Sequence, residues 1–141
     1  MKTIFKSLCG VGALLFMSAC SSNTPSAVVE KALDCTLAGD YKGYVDLMQL
    51  TDDEDPQAEE KARKDLADLI EKQVAKQSDK EKLVSYEILK EELSKTGTYA
   101  RVTFKEVYKS GEENETSIYL VKDKEGQWEI MFWGTDRLMD E

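Results

Sequence analysis

The sequence predicts an α+β domain in which N-terminal helices pack on one face of a curved four-stranded antiparallel sheet. Three observations predict it. Apolar residues recur at three- and four-residue spacing up to about Val74, they alternate from Val84 onward, and Gly-containing pairs punctuate the alternating half. Every helix then precedes every strand, so the helices have one side of the sheet to cover.

The first nineteen residues are set apart from that domain. Lys2 and Lys6 give a positive start, Leu8 to Met17 is apolar apart from Gly10 and Gly12, and Ser18-Ala19 places small residues before Cys20. A membrane-spanning helix needs about 20 apolar residues, and this run has roughly half of them. It reads as a cleaved leader rather than a permanent span. Met17-Ser18-Ala19-Cys20 resembles the bacterial lipobox, with Met in place of the commoner Leu. The resemblance implies cleavage between Ala19 and Cys20, diacylglycerol on the Cys20 sulfur and acylation of the new amino group. An ordinary secretory signal with a chance Cys would leave that register unexplained. Ser21 lacks the acidic character that retains many such proteins in an inner membrane, so the resemblance favours the outer membrane where a cell has two. The expected organisation is a signal peptide over 1–19, a lipidated linker over 20–23, the domain over 24–135 and a tail over 136–141.

Thr24-Pro25 starts the first helix, with Thr as N-cap and Pro in the first turn. Val28, Val29, Ala32, Leu33 and Thr36 keep helical spacing, and Gly39 ends it. Asp40 can cap a shorter second helix carrying Tyr41, Tyr44, Val45 and Met48, weakened by Gly43. A loop, Thr51 to Pro56, leads to a third helix whose apolar stripe is Ala58, Ala62, Leu66, Leu69, Ile70 and Val74. Glu59 with Arg63, Glu60 with Lys64 and Asp68 with Lys72 are favourable four-apart pairs on its wet face.

Four strands follow. Val84, Tyr86 and Ile88 alternate, then Ala100, Val102, Phe104 and Tyr108, with Glu106 the exception to the pattern. Ile118 and Leu120 come next, and Trp128, Ile130 and Phe132 last. Thr96-Gly97, Ser110-Gly111 and Glu125-Gly126 mark the turns between them. In the last strand Met131 and Trp133 make the second face apolar too, which a sheet covered on one side does not require. The C-terminal Arg137-Leu138-Met139 segment, a second copy, a protein partner or a ligand could cover it.

Composition excludes several chemistries. The chain carries 19 basic and 28 acidic residues, and loss of Lys2 and Lys6 with the leader leaves 17 against 28, a net charge of −11. Such a balance repels nucleic acid, so none is expected as a partner. With no His in the chain, the commonest general base and metal ligand is missing. Cys9 leaves with the leader and Cys20 is consumed by lipid, so Cys35 has no partner for a disulfide. Spaced with Val28 and Ala32 on a helix, it reads as a small apolar residue rather than a nucleophile. The acidic run Asp52 to Asp55 lacks the alternating ligands and sixth-position Gly of a calcium loop, and fits helix capping better. No metal and no cofactor are expected.

A family resemblance spans residues 24–133. Thr24-Pro25-Ser26-Ala27-Val28-Val29-Glu30, Leu37-Ala38-Gly39-Asp40-Tyr41, Val84-Ser85-Tyr86-Glu87-Ile88, Tyr99 to Phe104, and Leu120 to Ile130 carry it. In their order these segments resemble small bacterial lipoproteins with a lumazine-binding-like domain of unknown function, in the nuclear transport factor 2-like superfamily. The resemblance implies a cone, a curved sheet wrapped around the first long helix with a pocket at its open end. It transfers no function, since that scaffold hosts enzymes and binding modules alike. Tyr86, Tyr108, Tyr119 and Trp128 are candidates for a pocket or interface, against the plainer reading that they are core, and Trp133 for an interface on the second face. The expected function is a lipid-anchored, non-catalytic binding or interaction domain of the cell envelope, engaging the membrane through its lipid and taking a small apolar ligand, a protein partner or a second copy. The alternative is a pocket enzyme moving protons with a carboxylate and tyrosines, for which Asp46, Tyr41 and Tyr44 are the nearest raw material.

Overall fold

A computed structural model describes residues 23–50, 55–132 and 134–141. Helix α1 (Pro25–Ala38) begins and ends on its capping residues. Thr24 Oγ1 accepts from the Ala27 N–H at 3.1 Å, and Gly39 closes the helix at φ 75°, a conformation costly for any residue with a Cβ. Asp40 then caps α2 (Tyr41–Val45), its Oδ1 accepting from the Gly43 N–H at 2.9 Å. Asp55, the described member of the acidic run, caps α3 (Pro56–Ala75) through the Gln57 N–H at 3.0 Å. Thr51 to Glu54 lie outside the described residues.

The expected four-stranded antiparallel sheet is corrected to five strands of mixed direction. Short β1 (Met48–Gln49) pairs in parallel with β5 (Trp128–Met131), and the order is β1-β5-β4-β3-β2. Met48 therefore ends in a strand, not in α2. Gly43 weakens the helix, and the Leu47 carbonyl accepts from the Ile130 N–H at 2.8 Å, so the chain leaves α2 for the sheet ladder. A two-residue strand has no period for a sequence to display. The other four strands, β2 (Leu83–Leu93), β3 (Tyr99–Tyr108), β4 (Glu113–Lys122) and β5, form the antiparallel meander that the alternation predicts.

The inner face of the sheet presents Ala100, Val102, Phe104, Leu120, Trp128 and Ile130 to Val29, Ala32 and Leu33 of α1, and all are buried. A fully buried Val or Leu side chain contributes roughly 1.5–3 kcal/mol, so this seam holds α1 to the sheet. Helix α3 differs. It has no buried residue, packs chiefly against α2, and touches the core through half-buried Leu66.

The outer face is met by the chain's own C-terminus. Beyond β5 the chain turns, Phe132 is 60% exposed rather than continuing the inner row, and a 3-10 turn (Asp136–Asp140) returns onto β3. Gly134 permits this return, because a Cβ there would lie 2.1 Å from the Cβ of Tyr119. Arg101 holds the segment down: its guanidinium grips Glu92 at 2.8–3.0 Å and Asp136 at 2.5 Å, and Tyr119 Oη also donates to Asp136. The carbonyl of Glu141 accepts from the Thr96 N–H at 3.0 Å.

This clasp is acid-labile by its charges. The Tyr119 hydroxyl and then Arg101 hold the Asp136 carboxyl below its ordinary 3.8, and Arg101 holds Glu92 below its ordinary 4.5. Depressed carboxylates stabilise the folded clasp above those ordinary values and lose that contribution as pH falls through the lowered ones. Hydrogen exchange at the Thr96 amide is expected to quicken as pH drops below 3.8, once corrected for intrinsic rate, while β3 and β4 amides stay protected. Undiminished Thr96 protection in acid would refute the clasp.

Candidate functional site

Under α3, between α1, α2 and the inner face of the sheet, lies a cavity of about 580 Å³. That volume is within the range of about 300–1,000 Å³ found for small-molecule sites. Each wall comes from a different part of the chain. Leu33 and Thr36 project from α1, Tyr41 and Tyr44 from α2, and Ile70 and Val74 from α3. Phe104 and Glu106 line it from β3, Ile118 from β4 and Ile130 from β5, and its rim runs past the end of β5 to Phe132, Gly134 and Tyr119. The helical spacing of Ile70 and Val74 and the two-residue spacing of Phe104 and Glu106 bring them to one space.

Among the described residues Glu106 is the one carboxylate in this lining, and no Lys or Arg lines it. Its position follows from register: it lies opposite Tyr86 of β2 and Asn114 of β4 on the inner row. Tyr108, two residues on and therefore on the same face, donates its hydroxyl to Glu106 Oε2. That bond to the carboxylate, reinforced by burial, pushes the Tyr108 phenol up to about 12, since ionisation would destroy the bond. Burial, and secondarily the charge of Glu106, also raises the Tyr44 phenol. Both tyrosines thus stay protonated at neutral pH. The Tyr44 hydroxyl has no hydrogen-bond partner among the described residues, yet is not a sealed-off orphan.

The structure separates the other candidates. Tyr86 reaches α1, donating to Asp34 Oδ1 at 2.8 Å, and burial followed by that bond raises its phenol. Tyr119 belongs to the outer clasp and meets the cavity only at its rim. Trp128 is 7% exposed in the core, with Lys122 Nζ 5.1 Å from its ring centre. Trp133, Ala19 and Cys20 lie outside the described residues. Tyr41 and Tyr44 do line the cavity, whereas Asp46 is exposed at the end of α2. Glu106 was legible only as the break in an apolar alternation. Cys35, half-buried beside Gly43, has its thiol raised by burial and then by Asp40, the reverse of what a nucleophile needs.

Comparison with solved structures gives this architecture a relative. A Campylobacter jejuni protein named "Putative NTF2-like transpeptidase" superposes with a TM-score of 0.58 at 12% identity, over 78% of this chain and 100% of that one. At that identity the likeness is one of fold, and the fold is nuclear transport factor 2-like. A search of the curated proteins finds no significant match. The model of one sequence family matches residues 18–131, most of the chain. By that match the chain belongs to the family described as "Domain of unknown function (DUF4878)".

Proposed function

We propose that this is a lipid-anchored lipoprotein of the cell envelope, held through Cys20, whose domain is a non-catalytic binding module for a small apolar ligand. The likeness to lumazine-binding-like lipoproteins and the preference for an outer membrane belong to the same reading, and both rest on the sequence. The observation that carries the binding function is the cavity. It is lined mainly by aliphatic and aromatic side chains, and its one carboxylate already accepts a hydrogen bond from Tyr108. Pockets of this make-up hold ligands by apolar burial and orient them with a few polar groups.

A second reading, a proton-transferring pocket enzyme, has Glu106 and Tyr44 in its favour. Against it, Tyr108 occupies one carboxylate oxygen, and no His is present to share the work. Transpeptidase chemistry, suggested by the name of the Campylobacter protein, needs an acyl-accepting nucleophile. Cys35 beside Asp40 is poorly suited to that role.

The neutral apolar dye Nile red tests the binding module. Its fluorescence is expected to rise on addition of the protein and to lose most of that rise in Ile70→Glu, which places a charge in the α3 wall. The helix containing Ile70 has no buried residue, so the variant is expected to stay folded. Equal dye response from a folded Ile70→Glu would remove the cavity from the account.

A further inference from the structure

We infer that the cavity selects an apolar cation, a ligand with an aromatic or hydrocarbon body and one ammonium group, and discriminates against carboxylate and phosphate amphiphiles. This deepens the binding reading and rests on it. The charge of the lining favours a cation. Glu106 stands in the lining with no basic side chain in the wall to neutralise it. Arg63, on the same helix as Ile70 and Val74, is already bound to Glu59 at 2.6 Å and lies outside the lining. An ammonium group brought to Glu106 between these apolar walls is attracted, and an anion is repelled, more strongly than in open water. The chain's net charge of −9 adds a field of the same sign.

The polar groups of the site favour a donor as well. Tyr108 donates to Oε2 of Glu106, and a ligand N–H donor would complement the acceptor capacity left on that carboxylate. The hydroxyl of Tyr44, without a hydrogen-bond partner among the described residues, belongs to a residue of the same lining and can serve as another acceptor. Rings of Tyr41, Tyr44, Phe104 and Phe132 line the same cavity, and aromatic faces attract cations as well as apolar groups. A carboxylate ligand would find no Lys or Arg among the described residues of this wall.

A matched trio separates the ligand class from the existence of a site: 2-(1-naphthyl)ethylamine, 2-(1-naphthyl)ethanol and 1-naphthylacetate, titrated calorimetrically at neutral pH into the full chain in a mild non-ionic detergent. The amine is expected to bind about tenfold more tightly than the alcohol, and the carboxylate more weakly than either. Glu106→Gln retains an acceptor for Tyr108 and removes the charge. It is expected to bring the amine close to the alcohol, within about threefold. Equal binding of amine and alcohol by the unaltered chain, or an amine preference that survives Glu106→Gln, overturns the cation proposal and leaves a neutral apolar site standing. Failure of all three compounds to bind overturns the proposal together with the binding module beneath it.

Discussion

Replacing Cys20 by Ala is expected to abolish incorporation of labelled fatty acid and to shift the chain from the membrane pellet to the supernatant. The expectation is nearly all-or-none because lipid anchoring is cumulative. Each buried methylene is worth about 0.8 kcal/mol; one chain gives marginal, reversible attachment, and two or more give a stable one. Diacylglycerol on the sulfur with a third chain on the amino group, as the lipoprotein reading proposes, would be well past that threshold. Among the described residues no helix is long and apolar enough to cross a membrane. Leu8 to Met17 is too short to span a bilayer. Fatty-acid label on the Cys20→Ala protein, or its absence from the unaltered one, would end the lipoprotein assignment. The domain's cavity would survive that result, because no wall of it depends on residues before Leu33.

What could be read from the sequence was local. Thr24-Pro25, Gly39, Asp40 and Asp55-Pro56 delimit the helices through hydrogen bonds spanning two to four residues, and those bonds are present. Alternation in β3 assigned Val102 and Phe104 to the core correctly, because the strand's two faces meet different surroundings along its length. The misses are non-local. Strand β1 exists because Leu47 and Met48 find Ile130, more than eighty residues away, and no short-range pattern announces that pairing. Leu69 fits the apolar stripe of α3 yet is 52% exposed, since that helix stands beside α2 instead of pressing its whole stripe into the sheet. The cavity is hardest of all to foresee: Tyr44, Ile70 and Glu106 belong to three elements whose convergence is a property of the fold. Glu106 could still have been found. A lone acid on the inward row of a strand must either be paired or face a space, and it does both.

The wall of that space depends on one side chain. Arg63 donates from Nη1 to the carbonyls of Val45 at 2.6 Å and Met48 at 3.1 Å, while Nη2 and Nε hold Glu59 Oε1 at 2.6 and 3.2 Å. Its side chain is only 14% exposed. It thus fastens a helix with no buried residue to the last residue of α2 and the first of β1, the Val45 carbonyl being among those that a helix end leaves without a donor. Hydrogen bonds to a charged group contribute about 1.5–3 kcal/mol, and a buried carbonyl stripped of its donor adds a cost of similar size. The i,i+4 pair with Glu59 adds only about 0.3–0.5 kcal/mol. Arg63→Ala is therefore expected to destabilise the protein by about 2–4 kcal/mol in urea denaturation. Its specific signature is spatial: amides of α3 should lose hydrogen-exchange protection while those of β3 and β4 keep theirs, and Nile red binding should fall with the wall. Arg63→Lys should recover little, since an ammonium group lacks the planar fork that serves two carbonyls and a carboxylate together. If Arg63→Ala left α3 protected and the dye response intact, the helix would be held by its apolar contacts alone and the cavity would not hinge on this tether.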